Sequence, residues 1–163
     1  MTSLEVKRTN WGRFVKRLNA MYQYRPVSVT VKAARRTEQP VVDNCPFLGL
    51  SLTRIGRKID GLELYTGWWD PDRLNRPSVA VRQPAKINQT AGPDGGIVGL
   101  TIESEDGAVV NLSFGGEPIP HEAVVEKLAY ALYERRGAND GADVADWLEA
   151  ELVVRQVVEP LVS

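Results

Sequence analysis

The chain has 163 residues, 43% apolar and 25% charged, a balance that suits one packed core or one core with an appendage and excludes wholesale disorder. Its single cysteine, Cys45, excludes an internal disulfide and with it an extracellular stapled fold, and no apolar run reaches the roughly 18 residues of a membrane span. The net charge of −1 conceals an asymmetry: residues 1–60 carry twelve Lys or Arg against four acids, a net +8, residues 61–116 a net −3, and residues 117–163 a net −6.

The segment Met1–Asn10 is polar, with Glu5, Lys7 and Arg8 where a signal peptide would hold its apolar core, so a cytoplasmic location is the expectation. Trp11, Phe14, Val15, Leu18, Met21 and Tyr22 then recur at helical spacing, with Thr9 or Asn10 where a cap belongs. Arg13, Lys16 and Arg17 occupy the other face. Tyr24-Arg25-Pro26 ends the helix, because proline disfavours helical geometry in the residue before it.

From Val27 the period changes to two. Val27, Val29 and Val31 alternate with polar residues, as do Leu48, Leu50 and Leu52; after the Gly56-Arg57-Lys58 turn, Leu62 and Leu64 continue the pattern. Val79 and Val81 open a fourth strand that runs past Pro84 toward Ile87, the proline suggesting an edge or a bulge. Val98, Leu100 and Ile102 follow the Gly92–Gly96 turn cluster, and the Glu105-Asp106-Gly107 turn joins them to Val110, Leu112 and Phe114 as a hairpin. Gly115–Pro120 reads as a linker.

Beyond the linker, Val125, Leu128, Ala129 and Leu132 mark a helix that Gly137 can close in the left-handed conformation. Asp143 can cap a second helix, with Val144, Trp147 and Leu148 as its apolar face. The fold expected is α+β: an N-terminal helix packed on an antiparallel meander sheet of about six strands, followed by a C-terminal two-helix hairpin. Residues 1–114 form the sheet domain, 115–120 the linker and 121–163 the hairpin.

The run from Val125 to Leu152 resembles domain-of-unknown-function family 2934, a short bacterial helix–turn–helix unit that implies a fold element and no reaction. Trp11-x-x-Phe14, Cys45–Leu50, Pro84–Ile87 and Ile102–Gly107 are similar to domain-of-unknown-function family 5335, likewise bacterial and without implied catalytic residues.

Catalytic motifs fail on inventory. One histidine, His121, and one cysteine make neither a structural zinc site nor a recognisable Cys–His pair. The Asn139–Asp143 loop lacks the ligands that an EF-hand places before its glycine, and no Gly-rich phosphate loop is present. Asp70 with Asp72, and Glu103 with Glu105 or Asp106, are the carboxylate pairs on offer; both lie in turn chemistry, a poor place for a raised pKa. No cofactor, metal or catalytic residue is expected.

Two features point to surfaces. Adjacent Trp68 and Trp69 at a strand end face opposite ways if the strand continues, so one of them, with Asp70 and Arg73, can meet a partner. The last helix is apolar on nearly all sides, and Val154 with Val158 is the expected homodimer seam, packing within the monomer being the alternative. The function expected is a non-enzymatic interaction or assembly module, with no membrane partner and nucleic acid disfavoured by the opposing tail charge. The alternatives are nucleic-acid or phosphate binding through Arg35, Arg36, Arg54, Arg57 and Lys58, and a small carboxylate enzyme.

Overall fold

The computed structural model describes residues 2–67, 76–137, 141 and 143–163. The first element is a strand, β1 (Thr2–Val6), not a helix; a 3-10 turn at Arg8–Asn10 then leads into α1 (Trp11–Tyr22). Asn10 occupies the cap position without a side-chain cap bond, because the preceding turn holds it at φ −101°, ψ 0° and not in the extended region from which a side chain caps. The strands that follow are β2 (Pro26–Lys32), β3 (Gln39–Ile55), β4 (Lys58–Thr66), β5 (Val79–Arg82), β6 (Pro84–Ala91), β7 (Ile97–Ser104) and β8 (Val109–Phe114). Two helices complete the described chain, α2 (His121–Arg135) and α3 (Asp143–Val162).

The fold is α+β with an antiparallel sheet, but eight strands replace the expected six, in the order β1-β6-β7-β8-β2-β3-β4-β5. β1 escapes period-two reading because it is an edge whose Thr2 to Glu5 are all exposed. The run across Pro84 is two strands, since Gln83 takes a left-handed φ of 49° and turns the chain from β4's side to β7's side. Its N–H bonds Asp60 O at 2.7 Å and its O accepts from Glu105 N at 3.0 Å, so this corner pins β4 and β7 together and rolls the sheet.

β3 supplies a second bend. Residues 39–46 pair with β2 and residues 47–55 with β4, with register breaks on either side. The interior of the rolled sheet holds one core, in which Phe47, Leu50, Ile87, Leu100 and Val27 meet Trp11 and Leu18 of α1. The break between Phe47 and Gly49 turns Leu48 to the opposite side. There it joins a second core with Val125, Leu128, Ala150, Val154 and Leu161 from the hairpin.

Gly49 is the point of closest approach. A β-carbon there would stand 3.0 Å from Asn19 Cγ and from Leu161 Cβ, so only glycine lets α1 and α3 meet over β3. Asn19, itself buried, fills the junction: Nδ2 donates to Leu50 O (2.8 Å) and Leu161 O (2.7 Å), and Oδ1 accepts from Leu50 N (2.8 Å). The segment between β8 and α2 is tied down as well, through Gly115 N to Pro26 O, Ile119 N to Tyr24 O and Arg25 Nη1 to Gly116 O.

Candidate interaction surfaces

α3 packs on α2 through a face other than the one its apolar residues suggest. Asp146, Ala150, Val154, Val158 and Leu161 point inward, whereas Val144, Leu148 and Leu152 are 73%, 63% and 57% exposed. The rotation has a cause. Arg136, just beyond α2, forks onto the buried Asp146 carboxylate, with Nε at 3.0 Å from Oδ1 and Nη2 on Oδ2, and the small Ala150 lets the helices close. The Asp146 hydrogen bonds raise the Arg136 pKa further above its ordinary range. Gly137, at φ 83°, closes α2 as its sequence context suggests.

Val154 and Val158 therefore lie inside the monomer, 2% and 7% exposed, against α2 and Leu48, and are not presented to a second chain. The apolar surface that α3 leaves open is the stripe Val144, Leu148 and Leu152, with Trp147 beside it. Trp68, Trp69, Asp70, Asp72 and Arg73 lie outside the described residues, as do Asn139 and Asp140.

The five cations expected to act together are separated. Arg35 and Arg36 sit in the turn before β3, beside the β7–β8 turn, where Ala34 Cβ is 3.6 Å from the place a Gly107 β-carbon would take. Arg54, Arg57 and Lys58 sit at the other end of that 17-residue strand. Arg54 joins α1 instead. The Arg54 guanidinium lies over Gly12, 3.9 Å from a β-carbon position, and Arg8 reaches Ile59 O at 3.2 Å while stacking on Trp11.

One polar network escaped sequence reading. Tyr24, held at φ 68° after α1, shares a hydrogen bond between its hydroxyl and His121 Nδ1 (2.7 Å), and His121 Nε2 meets Glu151 Oε1 (3.2 Å), which also takes Arg155 Nε (2.9 Å). Burial, then the Glu151 charge, pushes the Tyr24 pKa up to about 12, so the phenol stays protonated. Hydrogen bonds from His121 and Arg155 draw the Glu151 carboxyl below its usual value. The network ties the start of α2 and the middle of α3 to the end of α1. The positive φ at Tyr24 has no sequence signal, which is why His121 reads as a wetted first-turn residue.

The remaining chemistry-bearing groups are held by structural duties. Burial raises the Cys45 thiol pKa. Asp106 accepts from Ser104 Oγ and from Ala108 N (3.0 Å), bonds that lower its pKa and lock the β7–β8 turn. Among the described residues no group of three or more His, Cys, Asp or Glu could hold a metal ion. None of the described helices is long and apolar enough to cross a membrane.

Residues 120–156, which cover α2 and most of α3, match the model of the family described as a protein of unknown function, DUF2934. No curated protein matches the chain, and no solved structure does.

Proposed function

We propose that the chain is a cytoplasmic, non-enzymatic assembly module that pairs with a second copy of itself through the outer face of α3. The observation that carries this reading is the exposed stripe of Val144, Leu148 and Leu152, on a helix whose opposite face is already buried. Such a helix is apolar on two sides, and only one of them is satisfied within the chain.

The shape of the stripe, and not its charge, favours a second copy as the occupant. An antiparallel two-fold pairing centred on Leu148 sets Leu152 of one copy against Val144 of the other. It also brings Arg155, which Glu151 already holds at 2.9 Å, within a turn of Asp143 of the second copy; with five acids to one cation on α3, charge weakens the pairing and the apolar stripe carries it. A parallel pairing would lay Asp143 beside Asp143. The stripe alone is smaller than the about 800 Å² per partner of a standard interface, so the pairing is transient and not obligate.

The state of the other side chains supports a role without catalysis. The Cys45 thiol is raised, Asp106 is lowered and committed to a turn, and His121 is engaged at both ring nitrogens by groups that hold the hairpin. A relation of residues 9–114 to domain-of-unknown-function family 5335 belongs to the same proposal. The shared pieces fall on the fold's irregular points: the start of α1, the β3 break, the corner after Gln83 and the β7–β8 turn.

Sedimentation equilibrium over a concentration series reaching the submillimolar range tests the pairing. The expected result is a reversible monomer–dimer equilibrium that Leu148→Ser with Leu152→Ser shifts to monomer, with melting unchanged. A monomer throughout the series, or a dimer indifferent to that double substitution, overturns the proposal.

A further inference from the structure

The end of the molecule formed by α1 and the β3–β4 turn is strongly basic. Lys7, Arg13, Arg17, Arg54, Arg57 and Lys58 are all exposed, and among the described residues none of the six is in an ion pair. The nearby acids are few: Glu5 takes Lys86 at 3.6 Å, and Asp60, whose Oδ1 accepts from Thr53 Oγ1 at 3.1 Å, keeps one negative charge beside the six cations. Lys7, Arg13 and Arg17 line one groove between β1 and α1, and Arg54 lies over Gly12 on the same helix.

The hairpin's acids approach α1 only at the Asn19–Leu161 junction, near Arg17 and Glu159, and the β3–β4 tip lies beyond them. α3 meets the sheet at Gly49, and Arg54 lies five residues further along β3, about 16 Å away. The acidic start of α3 is more distant again, because about 27 Å of helix separates Asp143 from Leu161. Both spans exceed the Debye length of about 8 Å at physiological salt. The β3–β4 tip is therefore positive and faces solvent.

At that tip stands an aliphatic side chain. Ile55 is 72% exposed, pairs across the turn with Lys58 and is flanked by Arg54 and Arg57; Leu4, in the groove with Arg13, is exposed as well. A single-stranded nucleic acid would want exposed aromatic platforms beside its cations; among the described residues Trp11 is buried beneath Arg8, Phe14 in the groove is half-buried, and the exposed Tyr130 and Trp147 are on the hairpin. Cations around a protruding aliphatic group match a different anion: a bilayer surface, where phosphates take the Lys and Arg while the aliphatic tip enters the acyl boundary.

We propose that the α1 and β3–β4 end docks peripherally on an anionic lipid bilayer, with Arg54, Arg57, Lys58 and Arg13 on the headgroups and Ile55 inserted. The proposal is independent of pairing through α3, which involves other residues. Vesicle flotation of the full chain tests it, with phosphatidylcholine alone or mixed with phosphatidylserine, at low and high salt.

Flotation is expected with phosphatidylserine only, falling as salt rises. Arg54→Glu with Arg57→Glu should weaken it by at least about tenfold, and Ile55→Ser should weaken it while leaving its salt dependence unchanged. Arg35→Glu with Arg36→Glu, at the far end of β3, should leave it intact. Absence of flotation on phosphatidylserine vesicles overturns the proposal, and so does equal loss in the Arg35/Arg36 pair, which would mean overall charge and not this face. Displacement by inorganic phosphate would replace the bilayer with a free-phosphate site. Retardation of single-stranded RNA at the same salt without vesicle binding would replace it with a polynucleotide.

Discussion

The rolled sheet and the helical hairpin solve the same problem, burial of an apolar face, by opposite means. The sheet is enclosed by its own curvature: corners at Gln83 and in β3 turn the strands around one interior, and α1 covers it. The hairpin has no interior of its own. Its two helices bury Val125, Leu128, Ala150 and Val154 only by borrowing Leu48 from β3, and they are fastened by polar groups at Asn19, Tyr24 and Glu151. A small helical pair cannot bury enough area alone, and the residue that completes it is turned outward by a bulge in someone else's strand.

If the two regions are coupled only at that junction, damage to the hairpin core should stay local. Val154→Asp places an unpaired carboxylate among Leu48, Val125 and Leu128 and should cost about 4 kcal/mol or more. Amide exchange should show α2 and α3 losing protection while β7 and β8 keep theirs. Simultaneous loss in all four elements would mean that the sheet leans on the hairpin as much as the reverse.

A smaller effect is expected at the junction itself. Asn19→Ala removes three hydrogen bonds and strands Leu50 N, Leu50 O and Leu161 O in a buried site, a loss of about 2–3 kcal/mol in denaturant melts. Fraying of the last turn of α3 should accompany it. If α3 stays fully protected, the apolar contacts of Leu161 hold that turn and Asn19 is a passenger.

The smallest effect concerns pH. Glu151 titrates below its ordinary 4.5 in the folded state because His121 and Arg155 bond its charged form. A depressed folded pKa gives stability that is present above the unfolded value and is lost as pH falls through the folded one. Melting temperature measured from neutral pH into acid should therefore drop less steeply for Glu151→Gln than for the unmodified chain. Parallel curves would remove Glu151 from the hairpin's fastening.

Regular elements were legible wherever one face is wet and the other buried. α1 runs from Trp11 to Tyr22 as its spacing indicates, and β2, β7 and β8 follow their alternation. Elements departing from that condition were misread for specific reasons. β1 is exposed along most of its length, so it has no alternation to see. β3 is covered on both sides between Pro46 and Leu50, which erases the pattern over the stretch where the bulge sits. α3 tolerates Pro160 because it stands in the last turn, where little hydrogen bonding remains to be lost.

Among site residues, the side of α3 that faces inward depends on Arg136 finding Asp146 across the hairpin, a pairing that apolar periodicity cannot show. The same holds for the cations. Sequence distance groups Arg35 and Arg36 loosely with Arg54, Arg57 and Lys58, yet a long strand carries the two sets to opposite ends, and a residue from α1 is a closer neighbour of Arg54 than either.

The bond from Asn19 to Leu161 spans 142 residues of chain. Every described strand of the sheet lies within the first 114 residues, so the first core can close before the hairpin is free to dock, while Leu48 waits uncovered beside it. Domains fold as units while the ribosome adds roughly 5–20 residues per second, and contacts this remote in sequence form last. For the seconds needed to add α2 and α3, the nascent protein carries a finished sheet with an unclaimed apolar spot on its outer wall. That interval is when a chaperone would find something to hold.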